Sequence, residues 1–96
     1  MKKLIAGYAP QKVILFGSYA HGKPRPGSDI DLLIIKDTSD RLIDRWVEVR
    51  RVLSDPGRKL PLETLVLTPQ EVARRLAIGD QFVAEIMEKG KVLYAA

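Results

Sequence analysis

Two aspartates one residue apart, Asp29 and Asp31, follow a Gly17–Ser18 pair after ten intervening residues, in the stretch LFGSYAHGKPRPGSDIDLLII from Leu15 to Ile35. In a strand, residues i and i+2 share a face, so both carboxylates point one way while Ile30 points into the core. Carboxylates placed side by side repel, and without a cation at least one pKa rises. A divalent metal resolves the conflict. Magnesium takes one or two carboxylates and completes its shell with phosphate oxygens and water. Two such ions about 3.5–4 Å apart can clamp an in-line phosphoryl displacement. Gly17 and Ser18 suit the other half of that chemistry. Glycine lets a phosphate chain approach the backbone, and a strand turning there into a helix would offer unpaired N–H groups and a serine hydroxyl.

The same stretch also fits a second frame, G-x-x-x-x-G-K from Gly17 to Lys23, the start of a P-loop. That loop needs Ser or Thr after its Lys to ligate magnesium, and position 24 is Pro. Its phosphate-binding helix would have to start in Lys-Pro-Arg-Pro-Gly, where two prolines resist helix. The carboxylate frame is the one that stands. Taken alone, Asp29 and Asp31 read equally well as a solvated strand end, and Gly17–Ser18 as an ordinary capped turn. Their coupling at this spacing favours the metal and phosphate reading.

The elements that must hold these residues follow from the apolar pattern. Lys2 to Tyr8 reads as a short helix ended by Pro10, and KVILF (Lys12–Phe16) as a buried strand stopped by Gly17. A short helical turn is expected from Ser18 to about Gly22, then a stiff KPRPG loop and a second strand, Asp29–Ile35. From Arg41 to about Ser54, Leu42, Ile43, Trp46, Val47, Val49 and Leu53 recur at mostly helical steps, predicting an amphipathic helix laid on a sheet. Trp46 is expected in the core, and Arg41, Arg45, Arg50 and Arg51 on the solvent face. A DPGRK loop leads to a third strand, Leu62–Leu67. Thr68-Pro69-Gln70-Glu71 carries a capping box with Pro at the first helical position. That helix reaches about Ile78, and a further one runs from Gln81 to Lys89 with Phe82, Ile86 and Met87 inward. Gly90 closes it before a short last strand, KVLY. The fold class is therefore α/β or α+β, with helices packed on a mixed sheet of about four strands.

At 96 residues, 46% hydrophobic and 29% charged, the chain is expected to form one domain, residues 1–96, with a single small core. No cysteine is present, which excludes disulfides and thiolate metal sites. No apolar run approaches the roughly 20 residues that span a bilayer, and no signal-peptide pattern opens the chain, so a cytoplasmic protein is expected. The net charge of +4 favours anionic partners. The scattered aromatics make no stacking surface for single strands, which argues against direct nucleic-acid binding.

G-S, ten residues, then D-x-D resembles the signature of the polymerase-β-like nucleotidyltransferases. The longer stretch Leu15–Ile35 is similar to the minimal nucleotidyltransferases in particular, as are LETLVLTPQEV and the closing GKVLY. The likeness covers nearly the whole chain. It implies that Asp29 and Asp31 hold two magnesium ions and that Gly17 and Ser18 fix the triphosphate of an NTP, with ATP expected. It further implies that a third carboxylate, Glu63, activates the acceptor hydroxyl or joins the metal site. Relatives usually carry Asp there, and Glu reaches one methylene further. His21 stands where Arg is common, and a loop position without a catalytic part is expected for it. Lys23 and Arg25 could reach the triphosphate, although solvated charge is the simpler reading.

The implied reaction moves a nucleoside monophosphate from an NTP to a hydroxyl and releases pyrophosphate. The acceptor site is expected from another chain or another copy. The likeness points to a small helical HEPN protein, for which this chain would be the antitoxin, with a homo-oligomer as the other arrangement. A non-catalytic antitoxin-like binding module remains the alternative, and a basic nucleic-acid-binding domain a third.

Overall fold

The computed structural model describes residues 2–22, 29–54 and 62–96. The expected KPRPG and DPGRK loops, with Lys23 and Arg25, lie outside the described residues. The elements run α1 (Lys2–Tyr8), β1 (Lys12–Phe16), β2 (Ile30–Ile35), α2 (Leu42–Val52), β3 (Leu62–Leu67), α3 (Pro69–Ala77), α4 (Gln81–Lys89) and β4 (Lys91–Ala95). The four strands form one mixed sheet in the order β3-β2-β1-β4. β1 is antiparallel to both β2 and β4, whereas β2 and β3 are parallel. The fold is thus α+β with helices packed on a four-stranded mixed sheet, as expected.

Alternation along β2 divides the interior in two. Leu32 and Ile34 face one side, packing with Leu4, Tyr8, Val13, Val49 and Val66 beneath α1 and α2, and Ile30 is packed against the edge of that cluster. Leu33 and Ile35 face the other, with Ile14, Leu67, Val72, Val83 and Ile86 beneath α3 and α4. The period-2 geometry assigns Asp31 to this second side, where the strand start extends beyond the apolar cluster.

Three expectations are corrected. Ser18–Gly22 forms successive turns, not a helix: the Ala20 N–H donates to the Gly17 carbonyl at 3.1 Å and the His21 N–H to the Ser18 carbonyl at 3.3 Å. Gly22 sits at φ +70°, a left-handed geometry that stops the turn. Second, Phe82 is 54% exposed and Val83 instead is fully buried. Helix α4 therefore turns Val83 and Ile86 inward and leaves Phe82 at the edge of β1.

The third correction concerns α2, whose inward face keeps Val49 and Leu53 as expected but is rotated at its N-terminal half. Arg45 is only 6% exposed, while Leu42, Ile43, Trp46 and Val47 are all exposed. The reason is polar. The Arg45 guanidinium donates to Glu71 through Nη1 at 2.6 Å and Nη2 at 3.3 Å, to the Val66 carbonyl at 3.2 Å and, through Nε, to the Asp40 carbonyl at 2.8 Å. Glu71 is also half of the α3 capping box: its carboxylate accepts from the Thr68 N–H at 2.8 Å, and its own N–H donates to Thr68 Oγ1 at 3.1 Å. One side chain thereby ties α2, the end of β3 and the start of α3 together. Arg50 remains outside as expected, stacked over Trp46 with 4.6 Å from guanidinium carbon to ring centroid.

Breaking a buried ion pair from one side leaves an uncompensated charge. Arg45→Ala should cost about 3–5 kcal/mol in urea denaturation, whereas Arg50→Ala should cost less than about 1 kcal/mol. The Arg45 hydrogen bond holds the Glu71 carboxyl below its ordinary value of 4.5. Its stabilisation is therefore complete above that value and is lost as pH falls through the lower folded one. Glu71→Gln should flatten that acid limb of the stability profile.

Candidate active site

The site residues come from three neighbouring strand ends. Antiparallel pairing sets Phe16 opposite Asp31, so the Gly17 turn begins beside the aspartate. Parallel pairing sets Asp31 opposite Glu63. Asp29 lies one residue ahead of β2. The structure thus brings Gly17, Asp31 and Glu63 onto adjacent strands, with Asp29 beside them. Ser18 continues the turn.

Gly17 is required twice over. Its φ is +75°, in the left-handed region that side chains disfavour. A Cβ there would also run into the Asp31 carboxylate, 3.3 Å from Cγ and closer still to Oδ2. The turn backbone and a carboxylate are therefore in direct apposition, with no side chain between them.

The electrostatics agree with this crowding. Burial pushes the Asp31 carboxyl above its ordinary value of 3.8, and the charges of Asp29 and Glu63 push it further the same way. Glu63 itself is exposed and Asp29 half-buried. All the candidate donors are carboxylate oxygens, which suits a hard cation such as magnesium and not a thiophilic one. Among the described residues, no group of three His, Cys, Asp or Glu side chains is placed to hold a metal ion, so Asp29, Asp31 and Glu63 do not form a three-carboxylate site. A magnesium site built from one or two carboxylates and substrate phosphates does not require one. The donor set fits that ion.

His21 is exposed, at the end of the turn, yet it borders a cleft of about 250 Å3 that opens beside Gly17 against α4. Phe16 and Phe82 meet edge-to-face along it, with ring centroids 5.7 Å apart and planes at 84°. The sequence pattern did not single out this cleft. Its only sequence signal is the mixed face Phe82, Glu85, Ile86, Lys89 at positions i, i+3, i+4 and i+7, which departs from a purely apolar core stripe.

The family model described as "Polymerase beta, Nucleotidyltransferase" matches residues 1–96. The chain is also similar to a protein of Methanocaldococcus jannaschii named "Putative protein adenylyltransferase", with 33% identity over 85 residues, 88% of this chain and 78% of that one. The crystal structure of a "putative nucleotidyltransferase" from Sulfolobus solfataricus superposes with a TM-score of 0.56. At 24% identity over 76% of this chain and 67% of that one, this likeness bears on the fold.

Two stability measurements probe the geometry. Gly17→Ala should destabilise by at least about 1–2 kcal/mol, the usual cost of a left-handed non-glycine residue, with the carboxylate collision added. Asp31→Asn should do the opposite at neutral pH. Because the folded pKa of Asp31 is raised, its contribution to stability is greatest below 3.8 and is lost as pH rises through the folded value. Removing the charge should therefore raise the melting temperature at pH 7 by about 1–5 °C, the scale of a like-charge cross-strand pair. The difference should vanish near pH 3.

Proposed function

Because the chain belongs to the polymerase-β nucleotidyltransferase family, whose members transfer nucleotide, we propose that it moves AMP from ATP to a protein hydroxyl, with magnesium held by Asp29 and Asp31. The observation carrying this reading is Asp31 itself. It is pressed against the Gly17 turn on one side and paired in register with Glu63 on the other. An acidic cluster touching a left-handed glycine turn makes sense where a metal-bound phosphate has to lie against backbone.

When bound, magnesium would supply charge stabilisation at the phosphate oxygens. The chain's own residues do the rest. The left-handed Gly17 turn sets bare backbone against Asp31, where a triphosphate on the metal would lie, and the Ser18 hydroxyl donates to it. Glu63, one strand over, takes the proton from the acceptor hydroxyl as its oxygen attacks the α-phosphorus. The new P–O bond forms as the bond to the bridging oxygen breaks, and pyrophosphate leaves. Positioning and preorganised charge account for most of the acceleration. The extra methylene of Glu63 offsets its exposed position by extending its reach. The name of the Methanocaldococcus relative supports AMP as the group transferred.

A protein acceptor is favoured by α2. Leu42, Ile43, Trp46 and Val47 form an outward apolar strip beside the edge strand β3, and such strips mark protein contacts. A small helical HEPN toxin carrying an acceptor tyrosine, with this chain as its antitoxin, is the partner proposed. A purely neutralising contact by the same strip would be the non-catalytic version of this pairing.

The test uses α-labelled ATP, magnesium and the HEPN partner. Label should pass to the partner, and Asp29→Asn or Asp31→Asn should each lower the rate by about 100-fold or more. Glu63→Gln should lower kcat with little change in ATP affinity. Transfer by the Asn variants at the parent rate would sink the catalytic assignment, and an unlabelled but neutralised partner would leave only the contact role.

A further inference from the structure

The cleft beside Gly17 has a composition that a phosphate site does not explain. Its apolar side is Phe16, Phe82 and Ile86, and its polar groups are His21, Glu85 and Lys89. Phe82 is half exposed although it caps the edge-to-face pair with Phe16. A half-exposed aromatic on a cavity wall leaves part of its ring free to meet a planar ligand. The four α4 residues Phe82, Glu85, Ile86 and Lys89 occupy a single helix face, so the helix presents a ring, a carboxylate, an aliphatic chain and an ammonium to one opening.

We infer that this cleft receives the base of the nucleotide, and that it is built for a base with an exocyclic amino group. This rests on the phosphate-turn reading above, because Gly17 belongs to both the turn and the cleft wall. A ligand with its phosphates on Gly17 and Ser18 extends either into solvent or into this opening. Three features select the base. Its volume of about 250 Å3 lies just below the range of ordinary small-molecule pockets, which suits a base alone, and its largely apolar wall with a few polar anchors is typical of them. Phe82 offers an aromatic face to a planar ring, a contact worth a factor of roughly 5–150 per base. Glu85 repels a polyphosphate, and as an acceptor-only carboxylate it selects an edge with donors.

Adenine presents its N6 amino group as a donor, whereas the O4 of uracil is an acceptor that faces a carboxylate unfavourably. Guanine and cytosine also carry an amino group and are admitted by the same rule. Lys89 flanks the opening, where its charge complements the phosphates entering the turn, and His21 lines the side next to Gly17. The helical face of α4 thereby supplies the base-holding function within this chain.

Calorimetric titration of the protein with magnesium complexes of ATP, UTP and tripolyphosphate tests this directly. ATP should bind about tenfold more tightly than tripolyphosphate and more tightly than UTP. Phe82→Ala should erase the advantage over tripolyphosphate while leaving tripolyphosphate affinity unchanged. Glu85→Gln, whose amide both donates and accepts, should shrink the ATP-to-UTP ratio. Equal binding of ATP and tripolyphosphate, or an ATP affinity indifferent to Phe82→Ala, would overturn the base assignment and leave the phosphate turn standing. Failure to bind any of the three would overturn the phosphate turn and this inference together.

Discussion

Register between the parallel strands β2 and β3 is the constraint on which the molecule depends. Ile35 pairs with Leu67 and Leu33 with Leu65, and the same alignment sets Asp31 beside Glu63. A slip of one residue would turn Leu33 and Ile35 away from α3 and α4 and separate the carboxylates. The apolar cluster at one end of these strands therefore fixes the charged cluster at the other. Packing free energy holds like charges closer than they would settle by themselves. Burial first, and the charges of Asp29 and Glu63 after it, raise the Asp31 carboxyl, and a site that tolerates such a cost is a candidate for function.

Arg45 secures the register from outside the sheet. Its guanidinium reaches the Val66 carbonyl in β3 and the Glu71 carboxylate at the start of α3. The groups it satisfies would otherwise be left at a buried junction, where an unpaired acceptor is expensive. Turning α2 to deliver this arginine rotates Leu42, Ile43, Trp46 and Val47 outward. One polar requirement thus both stabilises the strand-to-helix junction and creates the apolar strip available to a partner.

Strand positions, the Thr68–Glu71 capping box and the placement of Asp29 and Asp31 were legible in the sequence because they depend on local spacing: alternation, turn residues and cap chemistry. The family was legible because Gly17–Ser18 and the two aspartates lie close along the chain. The orientation of α2 was not legible. Its sequence carries two overlapping inward stripes that share Val49 and Leu53, one adding Leu42, Ile43, Trp46 and Val47 and the other adding Arg45. Apolar count favours the first, whereas the buried junction at Val66 and Glu71, distant in sequence, decides for the second. Phe82 was assigned inward for a similar reason, since period alone does not distinguish a core edge from a cleft wall.

We propose that the strand ends carrying Asp29, Asp31 and Glu63 form, with the Gly17 turn, one metal–nucleotide site. Manganese replaces magnesium at oxygen sites and broadens nearby NMR signals. Substoichiometric manganese with ATP should broaden the backbone amides of Gly17, Ser18, Ile30, Asp31 and Glu63 first, and Asp31→Asn should abolish the effect. Broadening centred instead on another acidic stretch, such as Asp37 to Asp44, with Gly17 and Asp31 unaffected, would contradict the account.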